Sequence, residues 1–136
     1  MLRFFTCISF ILLILSSCGN KRTPLQDVEK HLNNLIDEDS SKTVIIISDI
    51  DCVTCLEYIT PKLDTLSKPL LGIFLASQKK SNKNYSDWIN ETRNKVKWQT
   101  SSDIPLANSL TILLANNPKP SFFEFRNKKI VRWGTL

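Results

Sequence analysis

The chain has 136 residues, 42% hydrophobic and 23% charged, with three glycines and six prolines, which suits one globular domain and excludes disordered, fibrous and low-complexity chains. Lysine and arginine outnumber aspartate and glutamate by 18 to 13, a net charge of +5, but the excess is scattered over loops, which argues against a nucleic-acid binder. Four cysteines are too few for a disulfide-stapled miniprotein.

Arg3, the apolar run 4–15 and the small residues Ser16 and Ser17 have the charged, apolar, small-residue order of a secretory signal. A membrane-spanning helix needs about 20 apolar residues, so this run is too short to span. Leu15-Ser16-Ser17-Cys18 resembles the lipobox of bacterial lipoproteins; the alternative is an ordinary signal with an incidental cysteine. The resemblance implies that residues 1–17 leave as a signal peptide, that Cys18 carries the lipid, and that residues 18–22 form a tether to a domain spanning 23–136. It places the protein in the bacterial envelope, anchored in a membrane and facing the periplasm. Gly19, in place of the acid that retains some lipoproteins at the inner membrane, favours the outer one.

Thr23, Pro24 and Gln26 give the signature of a helix start, and Leu25, Val28, Leu32, Leu35 and Ile36 continue at helical spacing, which predicts a helix over 24–37. Residues 43–47 form a β-branched run without polar alternation, as in a strand buried on both faces. Val53, Leu56, Ile59, Leu63 and Leu66 mark a helix over 53–67, with Pro61 expected to kink it. Residues 70–76 read as a second buried strand, making a right-handed parallel βαβ unit. A polar loop over 77–83, a helix over 84–94, a short edge strand at 96–98 and an apolar helix over 106–114 follow. After the rigid turn 116–120, residues 121–125 and 130–133 read as two strands joined by a hairpin. The fold class is α/β.

Cys52-Val53-Thr54-Cys55 lies where the first strand ends and a helix begins. A thiolate at a helix N-terminus faces unpaired N–H groups and the positive end of the dipole, which lowers its pKa. A second cysteine three residues on can close a disulfide with it. Cys52 is therefore expected to be the attacking sulfur and Cys55 the resolving one.

With this motif, the chain resembles the thioredoxin superfamily, particularly membrane-anchored TlpA-type disulfide reductases, over residues 43–134. Residues 44–47 correspond to the central strand, Pro61 to a kinking helix proline, and Pro120 to the cis-proline ahead of the fourth strand. The resemblance implies a central mixed sheet flanked by helices, lacking the usual C-terminal helix. The open sheet face would then be exposed, covered by the 24–37 helix, or covered by a partner. The resemblance also implies thiol–disulfide exchange on extracytoplasmic protein disulfides. On this resemblance Cys52 and Cys55 would be catalytic, and Pro120, with Lys119 beside it, would shape the substrate groove. No bound cofactor would be needed, and a membrane electron donor would be required to keep the pair reduced.

The sequence departs from the family at Asp51, where many members have Trp, at Val53-Thr54, and at Ile46, where thioredoxin has a buried acid. Pro61 also stands one residue further from the second cysteine. A carboxylate at about 5 Å costs a thiolate roughly 3 kcal/mol at an effective dielectric near 20, against about 0.3–2 kcal/mol gained from the helix terminus. Asp49 and Asp51 therefore predict a reductant rather than a strong oxidant. The competing reading is a non-catalytic thioredoxin-like lipoprotein that binds a partner and uses the two cysteines as a structural disulfide. A metal site is not expected, because zinc needs about four ligands. His31, the one histidine, is expected as a solvated surface residue. Tyr85, Trp88, Trp98 and Trp133 are expected to pack in or beside the core, and Lys79, Lys80, Lys83, Lys128 and Lys129 to be solvated loop charges.

Overall fold

The computed structural model describes residues 22–36, 42–48, 55–76, 83–115 and 119–136. The predicted signal, Cys18 and most of the tether lie outside them, as do Asp49, Asp51 and Cys52. Among the described residues no helix is long and apolar enough to cross a membrane.

Helix α1, Pro24–Leu35, starts as its sequence requires: Gln26 N–H donates to Thr23 Oγ1 at 3.3 Å and Thr23 N–H to Gln26 Oε1 at 2.9 Å. It stops at Leu35, and extended Ile36 still buries its side chain. Strand β1, Lys42–Ser48, buries every residue from Thr43 to Ile47. Helix α2, Cys55–Leu63, is shorter than expected. Asp64 N–H bonds to Pro61 O and Thr65 N–H to Lys62 O, tight i-to-i+3 turns that close it. Strand β2, Leu70–Leu75, helix α3, Lys83–Glu91, and strand β3, Lys97–Ser101, follow. Helix α4, Ile104–Leu113, begins earlier than its apolar pattern suggests because Asp103 caps it, accepting from Leu106 N–H at 2.9 Å. Strands β4, Ser121–Arg126, and β5, Lys129–Thr135, form the closing hairpin.

The five strands make one mixed sheet in the order β3-β2-β1-β4-β5. β1 pairs parallel with β2 and antiparallel with β4, while β3 and β5 are the edges. This central position explains the unbroken aliphatic run, since side chains on both faces of β1 are covered. Ile45 and Ile47 meet Leu56, Ile59 and Leu63 of α2 and Tyr85 and Trp88 of α3. Val44 and Ile46, on the opposite face, meet Val28 and Leu32 of α1 and Leu106 and Leu110 of α4.

The sheet face that carries Val44 and Ile46 is thus covered by α1 together with α4. Full burial of Val28 and Leu32 contributes about 1.5–3 kcal/mol each. Polar contacts fix the helix in place: Glu29 Oε2 accepts from Ile130 N–H at 2.8 Å, Glu29 Oε1 from Lys129 Nζ at 3.0 Å, and Asn33 Nδ2 donates to Lys128 O at 2.9 Å. Lys129 stays exposed, as expected, while its ammonium pairs with Glu29. His31 is half-buried with Nδ1 4.0 Å from Asp103 Oδ2, between α1 and the start of α4, which corrects its expected place as a solvated surface residue.

Candidate functional site

The parallel strands β1, β2 and β3 end on one side of the sheet, the side where open α/β sheets place their sites. β1 leaves the sheet at Ser48, and α2 opens at Cys55. Cys55 is thus the first described residue of the helix that follows the central strand in the sequence. Cys52, Val53 and Thr54 lie outside the described residues.

α2 is held rigidly from below. Leu56, Ile59 and Leu63 are buried, and Thr60 Oγ1 donates to Leu56 O at 3.1 Å while accepting from Trp88 Nε1 at 2.9 Å. Thr92 repeats the arrangement, donating to Trp88 O at 2.9 Å and accepting from Trp98 Nε1 at 2.9 Å. The two indoles meet edge to face at 5.3 Å. Trp98 lies over Gly72 of β2, where a β-carbon would collide with the ring. Tyr85 and Trp88 are buried and Trp98 half-buried, as expected, whereas Trp133 stands 38% exposed on the edge strand, stacked on Phe123 at 6.2 Å.

Pro120 is brought to the same end of the sheet. The antiparallel register pairs Ile46 with Ser121, so Pro120 lies beside the exit of β1. It is buried, and its carbonyl accepts from Leu136 N–H at 2.8 Å. Lys119 is exposed, with its carbonyl taken by Ser121 Oγ at 2.9 Å. One feature of the resemblance is absent: among the described residues the cis peptide bond is Lys68–Pro69, and the bond ahead of Pro120 is not cis.

Comparison with protein-family models, with curated proteins and with solved structures finds no match. The residues themselves therefore carry the functional reading.

Tyr58 is a feature of this end that the sequence reading passed over. Three residues beyond Cys55 on α2, it is 76% exposed. The signal was present, since buried Leu56, Ile59 and Leu63 leave position 58 on the outer side of the helix. An exposed aromatic ring one turn from Cys55 offers an apolar contact to a docking polypeptide.

Proposed function

We propose that the chain is a lipid-anchored thiol–disulfide oxidoreductase of the bacterial envelope, with a thioredoxin-like arrangement, that reduces disulfides of extracytoplasmic proteins. The observation that carries the reading is Cys55 at the head of α2, the next described element after the central strand, with Pro120 beside the end of that strand. In the forward reaction the Cys52 thiolate attacks one sulfur of a substrate disulfide, and the other sulfur leaves as a thiolate that takes up a proton. Cys55 then loses its proton and attacks the Cys52 sulfur, releasing the second substrate thiol. Two electrons pass to the substrate, and the Cys52–Cys55 disulfide remains for a membrane electron donor to reduce.

Redox equilibrium titration of the full chain in detergent, with Cys52 and Cys55 scored by thiol labelling, tests this. A reversible two-electron transition between about −120 and −270 mV is the expected outcome. A pair still oxidised below about −300 mV is a structural disulfide and selects the partner-binding reading instead.

A further inference from the structure

At the opposite end of the sheet, a cavity of about 90 Å³ opens between the start of β1, the turn before β2 and the end of β4. Seven residues of strand at about 3.3 Å each separate this end from the exit towards the cysteines, roughly 20 Å. The walls include Lys42, Thr43, Ser67, Lys68, Glu124 and Arg126. A single water needs only about 10–15 Å³, so a larger polar group fits.

Three observations characterise the cavity. Thr43 is completely buried, yet its Oγ1 has no hydrogen-bond partner, a state that costs about 1–3 kcal/mol. The next four residues of β1 are aliphatic, and valine would fill the same volume at position 43 without that cost. Lys42, Lys68 and Arg126 come from three separate segments, and among the described residues none forms an ion pair. Glu124 places one carboxylate among these cations. Its Oε1 accepts from Ser67 Oγ at 3.4 Å and lies 3.7 Å from Arg132 NH1, while its Oε2 carries no hydrogen bond among the described residues.

We propose that this cavity binds a protonated tetrahedral oxyanion, inorganic phosphate. Lys42, Lys68 and Arg126 supply the charge, and the Thr43 hydroxyl donates to a phosphate oxygen. Glu124 accepts the proton that HPO₄²⁻ still carries at neutral pH. Sulfate and phosphodiesters carry no such proton there, and a phosphate monoester, with a second pKa of about 6, has mostly lost it, so the same carboxylate disfavours them. The specificity comes from one acceptor among donors.

Amide chemical shifts of the full chain in uncharged detergent, titrated with inorganic phosphate and with sulfate at matched ionic strength, provide the test. The expected result is saturable movement of the Thr43, Ser67, Lys68 and Arg126 amides with phosphate and not with sulfate. The exposed pair Lys68→Gln/Arg126→Gln should weaken phosphate about tenfold or more with the remaining spectrum unchanged. Glu124→Gln should admit sulfate. Glycerol phosphate at neutral pH should bind more weakly than inorganic phosphate, and equal binding of the two overturns the selectivity assigned to Glu124. Equal, unsaturating shifts with both anions, or saturation that survives the double substitution, overturns the proposal. So does a response confined to phosphatidylglycerol vesicles, which present a diester.

Discussion

Trp88 Nε1 donates to Thr60 Oγ1 at 2.9 Å, joining α3 to the helix that begins at Cys55. The bond satisfies an indole N–H at the helix interface, and the same hydroxyl returns its own proton to Leu56 O. Replacing Thr60 by valine keeps the shape and removes the acceptor. Unfolding should become easier by about 1–3 kcal/mol, read from denaturant midpoints at unchanged m-value.

Gly72 and Trp98 form a second such dependence, of volume rather than polarity. Gly72→Ala should destabilise by about 1–3 kcal/mol, because the new methyl enters space held by the indole. In a Trp98→Leu background the same substitution should cost much less. A double-mutant cycle measures that difference as the coupling.

At the other face, Glu29→Ala removes the acceptor for Ile130 N–H and the partner of Lys129. The expected loss is about 1–3 kcal/mol. Hydrogen exchange should locate it, with protection falling at Ile130 and along α1 before it falls in β1.

For the cysteines, Cys52→Ser should abolish reduction of a disulfide such as oxidised glutathione. Cys55→Ser should instead trap the glutathione adduct on Cys52, detectable by intact-mass measurement. Adduct on the Cys52→Ser variant rather than on Cys55→Ser would reverse the two roles.

The Asp64–Lys95 pair gives a pH dependence. The hydrogen bond from Lys95 Nζ at 2.8 Å holds the Asp64 carboxyl below its usual range; desolvation opposes this, and the charges of Lys95 and Lys68 add to it. A carboxyl whose value is depressed on folding stabilises the fold above its unfolded value, and that contribution fades as the pH falls below about 4. Lys95→Met should therefore flatten part of the acid limb of a stability-against-pH curve. The effect should be small and reduced by salt, as for other exposed pairs.

The order of elements, the buried character of β1 and the two-stranded ending were legible because periodicity and turn chemistry are local. So was the start of α1, which Thr23, Pro24 and Gln26 encode in four residues. The extent of β3 was not, since Gln99, Thr100 and Ser101 lack an apolar pattern and are strand only because β2 lies alongside. The early start of α4 was encoded in Asp103 and Pro105 but masked by the apolar run after them. His31 was misplaced because its position depends on α4 packing beside α1. Thr43 shows the sharpest limit: in the sequence it opens a hydrophobic run, and only the strand register sets it opposite Glu124. At the site, the succession of β1 and α2 was readable from spacing, whereas the position of Pro120 beside the β1 exit required the antiparallel pairing.

The clamp between α1 and the final hairpin joins positions about a hundred residues apart, Glu29 to Lys129 and Ile130. A chain emerging from a ribosome or a translocation pore presents its first helix long before these partners exist. Val28 and Leu32 then lack their full burial until β4 delivers Phe123 and Phe125 to the same cluster. Such long-range closure is expected to slow folding relative to a chain of local contacts. It also makes completion of the sheet a late event, so a partly emerged chain displays an apolar helix that a holding chaperone can recognise.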